Sequence, residues 1–419
     1  MKKTLVVIGG GAAGFFCAVN AARLHDDLRV VILEKTGKLL SKVKVSGGGR
    51  CNVTHDCQSV SELVGHYPRG ASFLKKAFLH FSVKDTITWF EERGVELKIE
   101  KDGRMFPVTD NSETIMRCLL DDAARYGVEI MLNTELENVE LKSNSAESQS
   151  QTSFILTLSR ERTIEADFIC LASGGVQKLE KLDWLKNLGH DIHPTYPSLF
   201  TFNIKGSGIQ ELMGVSLDSA VVKIMGTKHK LQGPALITHW GLSGPVVLKL
   251  SAWGALDLAE LGYDFKIVVN WIPEYNEQKV LDMLRVVRFE KASQKINNRN
   301  PFDLPSRLWE YLLVQSGIQP ELRWADLPAK SQNLLAKMLC NQEFHVQGKT
   351  TFKEEFVTAG GVGLEQINPA TMESKTQKNL FFAGEVLNID GVTGGFNFQN
   401  AWTTGWIAAS AISQTEKQQ

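Results

Sequence analysis

The sequence has no Cys-x-x-Cys pair among its six cysteines (17, 51, 57, 118, 170 and 340). That excludes the common zinc and dithiol motifs, so no metal site is expected and the chain reads as reduced and free of disulfides. No apolar run approaches the ~18 residues of a membrane span. A signal peptide is missing too, because Met1-Lys2-Lys3 leads straight into a strand, and the expected location is the cytoplasm. Charge of one sign is also lacking: 46 basic against 47 acidic residues leave a net charge of −1. This balance excludes a general polyanion binder and leaves room only for a local basic patch. With 419 residues, two or three structural units are expected.

What is present is concentrated at the two ends. Leu5 to Ile8 has strand composition, Gly9-Gly10-Gly11-Ala12-Ala13-Gly14 follows at once, Phe15 to Leu24 suits a helix, and Val30 to Leu33 forms a second apolar run closed by Glu34. Strand, Gly-x-Gly-x-x-Gly turn, helix, strand and acid make a βαβ nucleotide-binding unit. Gly9 permits the tight turn, Gly11 lets backbone approach a pyrophosphate, and Gly14 lets helix and strand pack closely. Ala12 and Ala13 open the helix whose N–H groups face the phosphates, and Glu34 is placed for a ribose. A basic stretch with Lys35 and Lys42 then leads into Ser46-Gly47-Gly48-Gly49-Arg50-Cys51-Asn52. Three glycines cannot form a core helix, so this loop must turn sharply or lie against something flat. Arg50 is expected to pair with a phosphate or stack on a ring, with Cys51 and Asn52 beside the ligand.

Ala71 to Glu92 reads as one helix, Glu96 to Val108 as a hairpin, Ser112 to Tyr126 as a helix capped by Ser112, and Leu136 to Leu158 as a meander with a solvated tip at 143–149. Phe168 to Leu171 is a further apolar strand running into Ala172-Ser173-Gly174-Gly175, as expected where a sheet strand ends beneath a nucleotide. From about Pro194 the texture turns β-rich, then helical from Asn276 to Leu339. Arg285, Arg288, Lys291, Lys295 and Arg299 share a helical arc of about 120°. A solvated face accounts for them more simply than an RNA-binding patch does. The final segment returns to strand-and-glycine texture. Leu380 to Ala383 is a buried strand, Gly384-Glu385 ends it with an acid able to hold ribityl hydroxyls, and Gly394-Gly395-Phe396-Asn397-Phe398-Gln399 opens a helix suited to flavin carbonyls. A protein that bound only NAD would not need this second motif, so FAD is the expected cofactor.

With both ends in hand, the chain resembles the BaiN/RdsA-type NAD(P)/FAD-dependent oxidoreductases over almost its whole length. The carriers are the glycine turn at 9–14, Ser46 to Asn52, Ala172 to Gly175, Thr238-His239-Trp240-Gly241-Leu242-Ser243-Gly244-Pro245, Thr371 to Lys375, and Phe382 to Gln399. The resemblance implies an α/β protein. Its FAD-binding, Rossmann-like domain of the two-dinucleotide-binding type is built from both termini (1–195 and 346–419). An inserted β-barrel-like domain (196–272 and 340–345) and a small helical domain (273–339) complete it. Cofactor contact is carried over to the glycine-loop residues above and to Leu136, Ala172, Ser173, Gly174, Glu385 and Asn388. Two departures stand out: the loop after Gly175 is short, and Asn388 replaces an acid usual in the family.

The expected chemistry is hydride transfer between flavin and a conjugated C=C or carbonyl. No second Gly-x-Gly-x-x-Gly follows a strand, so NAD(P)H would visit the flavin transiently as reductant. Cys51, with Asn52 beside it, is the candidate proton donor, and His239 a weaker one. Uracil in ribosomal RNA, a small enone or aminoketone, and a non-catalytic flavin redox sensor are the functional alternatives.

Overall fold

The computed structural model describes residues 2–142, 153–175, 178–298, 300–350 and 357–417. The tip at 143–149 and Arg299 lie outside them. The chain divides into two compact units, Met1–Pro197 with Lys353–Gln419, and Ser198–Phe352.

The first unit is built on a five-stranded parallel sheet in the order Leu380–Phe382, Phe168–Leu171, Lys3–Ile8, Leu28–Leu33, Glu129–Met131. Registers Val7↔Cys170, Val7↔Ile32 and Cys170↔Phe381 bring the carboxyl ends level. Continuous apolar runs suit strands covered on both faces. The helix Ala12–Leu24 covers one face and packs on the C-terminal helix Phe396–Lys417. Their approach is close because a Cβ on Gly405 would stand 2.7 Å from the Ala13 carbonyl oxygen. A small antiparallel sheet (Thr54–His55, Arg104–Pro107, Leu97–Ile99) and the meander Leu136–Leu141, Phe154–Leu158, Arg162–Ala166 flank this core.

Two helix boundaries differ from expectation. The stretch 71–92 is two helices, Ala71–Ala77 and Val83–Glu91, because Ser82 and Asp85 form a reciprocal capping box that starts the second anew. The helix Ser112–Arg125 is capped by Asn111, whose Oδ1 accepts from Glu113 N at 2.9 Å, while Ser112 Oγ donates to the Lys44 carbonyl.

The second unit is a closed six-stranded barrel in the order Thr201–Ile204, Gly241–Ser243, Lys230–Thr238, Ser216–Ile224, Asp264–Asn270, Gln342–Thr350. Helices Glu277–Glu290, Ser306–Gln315 and Ala329–Asn341 share one core with it, in which Val280, Trp309 and Leu335 meet Ile267 and Trp271. The basic stripe is not one helix face. The helix ends at Glu290, Lys291 caps it, and buried Ile296 draws the following chain into the core, its N–H bonded to the Leu322 carbonyl. Arg285 pairs with Asp282, Lys295 with Glu321, and Arg288 donates to the Ala325 carbonyl.

Candidate functional site

The three motif glycines meet quite different surroundings. A Cβ on Gly9 (φ +120°) would lie 2.3 Å from the Ala172 carbonyl oxygen, and one on Gly14 would lie 1.9 Å from that of Gly9. Both positions are therefore closed to any side chain. A Cβ on Gly11 meets nothing within 4 Å. The turn is thus tight on its inner side and open at Gly11, where the helix opened by Ala12 and Ala13 presents unpaired amides. Glu34 reaches back to this turn: its carboxylate accepts from Gly10 N (2.9 Å), Thr36 N (2.8 Å) and Thr36 Oγ1 (2.8 Å). At the same carboxyl edge lies a cleft of about 380 Å³ lined by Glu34, Lys35, Leu136, Ser173, Lys178 and Trp184. Ala172 continues the strand by donating to the Ile8 carbonyl, Gly174 turns at φ +72°, and Ser173 Oγ is buried without a partner.

A second polar group gathers around Glu385. Its carboxylate accepts from Thr358 N (2.9 Å) and Lys42 Nζ (2.6 Å), Thr358 Oγ1 is buried without a partner, and a Cβ on Gly175 would strike both side chains. Gly384 (φ +76°) sits against Ala13 and donates to Thr404 Oγ1. Asn388 Oδ1 accepts from Gly360 N at 3.2 Å, a backbone contact that an acid could also make.

The glycine loop at 46–52 and the turn at 391–399 are brought together. Ser46, Gly47 and Gly48 leave helical geometry, with Gly47 at φ +59° and Gly48 at φ +69°, and Phe106 fills the space where a Gly47 side chain would stand. Asn52 spans the gap: with its amide oriented to satisfy both groups, Oδ1 accepts from Gly395 N and Nδ2 donates to the Thr54 carbonyl, each at 3.0 Å. Gln399 is buried among Thr54, Thr86 and Thr403, Asn397 closes on Gly391, and Phe398 stacks on Trp402.

Arg50 and Cys51 both have partners within the fold. Of the two uses expected of Arg50, the structure shows stacking on a ring, that of Phe106: the guanidinium lies 4.0 Å from its centroid and pairs with Glu100 (2.6 Å) and Asp110 (3.4 Å). Cys51 has no accessible surface, and burial pushes its thiol up to about 12 although Ser46 bonds to it. A thiol so held is a poor proton donor and a poorer nucleophile. His239 is an exposed hairpin residue of the barrel unit, against Trp240.

Sequence reasoning missed the segment 54–69, which clamps the turn at 390–396. The His66 carbonyl accepts from Val392 N (2.9 Å), Tyr67 Oη donates to the Phe396 carbonyl (2.7 Å), and Arg69 forms an ion pair with fully buried Asp390. The rings of His55 and His66 both stack with Phe396, at 4.8 and 4.2 Å between centroids. The histidines were visible in the sequence, but nothing in their spacing points to a partner more than 300 residues away.

Residues 3–411 match the family model described as HI0933-like protein Rossmann domain. The chain is 28% identical over 427 residues to the 3-dehydro-bile acid delta(4,6)-reductase of Clostridium scindens (97% of this chain, 98% of that protein). It is also 28% identical over 417 residues to the ribosomal RNA dihydrouridine synthase of Escherichia coli (97% of each). Among solved structures, the 3-ketosteroid delta1-dehydrogenase from Sterolibacterium denitrificans superposes with a TM-score of 0.51 at 10% identity, covering 99% of this chain and 100% of that one, a likeness of fold. The chain therefore belongs to the HI0933-like Rossmann-domain family.

Proposed function

We propose that this FAD-dependent oxidoreductase adds a hydride and a proton across a C=C bond conjugated to a carbonyl. The observation that carries this reading is that two relatives matching almost the full chain bear names that describe one chemistry. Saturating the Δ4 or Δ6 bond of a 3-oxo steroid and saturating uracil to dihydrouracil are both conjugate reductions.

The residues present fit FAD. A turn closed at Gly9 and Gly14 but open at Gly11 suits a pyrophosphate, and the unpartnered hydroxyls of Ser173 and Thr358 are acceptors and donors without another use in the fold. Glu34, Lys35 and Leu136 would border the adenosine end. Ala12 and Ala13 would face the phosphates, and Lys42, Gly384 and Glu385 the ribityl chain. Ser46 to Gly48, with Gly394 and the first amides of the C-terminal helix, would border the isoalloxazine. Gly395 N is already taken by Asn52, so carbonyl recognition passes to the neighbouring N–H groups. When bound, FAD supplies the two-electron hydride equivalent. The chain's own part is to orient the alkene, exclude water and provide the proton, and NAD(P)H is the proposed reductant.

A small conjugated enone is the first substrate reading, favoured by the net charge of −1 and by the carboxylates that face Arg285 and Lys295. Uracil in ribosomal RNA is the second, favoured by the names of the relatives from Escherichia coli and Haemophilus influenzae. Anaerobic bleaching by NADH or NADPH, followed by mixing with 2-cyclohexen-1-one or with a uridine-containing ribosomal RNA fragment, tests both. Reoxidation by the enone alone supports the first reading and by RNA alone the second. Bleaching without either response overturns the conjugate reduction, and no bleaching overturns NAD(P)H as reductant and favours a flavin sensor.

A further inference from the structure

The strand Thr54–His55 carries an imidazole to the turn that opens the C-terminal helix. A Cβ on Gly394 would stand 3.5 Å from His55 Cδ2, so the ring lies in van der Waals reach of the turn assigned above to the isoalloxazine. Its other side lies against Gly103 (φ +82°), where a Cβ would come within 2.4 Å of Cε1 and 2.9 Å of Nε2. Phe396 stacks on the ring at an interplanar angle of 20°, and the His66 ring lies 5.8 Å away. Cys57 Sγ sits 3.5 Å from His55 Nδ1. An imidazole held by a sulfur, a stacked ring and two glycines has its orientation determined, with the ring half-buried and still in reach of solvent protons.

From this geometry we infer that His55 is the proton donor of the reduction, with Cys57 and Phe396 as its positioning residues. The inference rests on the conjugate-reduction reading. As hydride adds to the β carbon, the alkene π pair takes a proton of the His55 imidazolium and becomes the new α C–H bond. Neutral imidazole remains and is reprotonated from solvent. Cys57 serves as a partner rather than a competing base, because burial and the charges of Glu62 and Asp56 push its thiol up to about 12. Also facing His55 are His66 across the stack and Arg104, its register partner, which is itself paired with Asp102 and Glu100.

The test compares wild type, His55→Gln, His66→Gln and Cys57→Ala as FAD-loaded full-length protein, in two measurements. In single-turnover mixing of the reduced protein with 2-cyclohexen-1-one or the uridine-containing fragment, His55→Gln is expected to lose about 100-fold or more in rate, while FAD content and bleaching by NAD(P)H stay near wild type. The wild-type rate should fall as pH rises through the imidazole range, and His55→Gln should lose that dependence while His66→Gln keeps it. The second measurement needs no turnover. The absorption spectrum of bound oxidised FAD is titrated, and an imidazole transition present in wild type and absent in His55→Gln supports the placement. A His55→Gln protein with wild-type rate and pH profile, or an unchanged spectral titration, overturns the inference. Should wild type reduce neither probe, the conjugate-reduction reading fails on its own, and the spectral titration still decides whether His55 faces the flavin. Should His55→Gln not retain FAD, Cys57→Ala decides: a shifted pH profile or spectral transition supports the relay, and unaltered ones overturn it.

Discussion

At the residue scale, the three motif glycines make separable predictions. Gly11→Ala is expected to leave the melting temperature of the apoprotein within a few degrees, since its Cβ meets nothing and its φ of −95° suits any residue. It should weaken FAD binding, read by flavin titration. Gly14→Ala should instead destabilise the fold by about 1–3 kcal/mol or more, because its Cβ would stand 1.9 Å from a carbonyl oxygen. The thiols are equally specific. Burial holds Cys51, Cys57 and Cys118 as neutral thiols at about 12 instead of 9.0. Their alkylation should therefore keep rising with pH beyond 9, and at pH 8 Cys57 should carry about a thousandfold less thiolate than a free cysteine. Peptide mapping after timed iodoacetamide labelling measures this. The turn itself was legible from spacing, because Gly14 packs on the Gly9 carbonyl within the same turn. The partners of Arg50 were not, because Phe106, Glu100 and Asp110 are brought to it by an approach that no local pattern encodes.

At the scale of elements, the clamp between 54–69 and 390–399 holds the helix-opening turn. Asp390 has no exposed surface and Arg69 little, so Asp390→Ala would leave a guanidinium without its carboxylate. Loss of about 3–5 kcal/mol is expected in chemical denaturation. Replacing both residues by apolar ones should cost less than that single change. The βαβ unit, the parallel strands and the glycine loops were readable because hydrophobic period and turn residues mark each one locally. The break at 78–82 was hidden in an apolar stretch that fits a helix on both sides, and only the Ser82–Asp85 box marks it. The stripe from Arg285 to Arg299 misled for the opposite reason: its period continues past Glu290, but Ile296 gains more by burial than a longer helix would.

At the scale of the whole molecule, the barrel unit begins and ends on neighbouring strands, with Thr201 paired to Thr350. Its ends are already together and its core is shared among its own strands and helices. The fragment 198–352 is therefore expected to fold alone, giving a cooperative thermal transition by circular dichroism. A non-cooperative melt would show that it depends on the remainder of the chain. The turn to β-rich texture after about Pro194 is visible in composition. The closure of six strands into a barrel is not, because it is fixed by pairings such as Asp264–Asn270 with Gln342–Thr350 that no local pattern announces.

The pairing of Phe168–Leu171 with Leu380–Phe382 also sets a timetable for synthesis. About 200 residues separate the two strands, so at ribosomal rates the first waits roughly 10–40 s for its partner. Through that interval a fully apolar strand has an unpaired edge, the kind of surface on which nascent chains associate. Folding yield should therefore depend on chaperone supply and fall when elongation is slowed downstream of residue 171, even where the finished protein is equally stable.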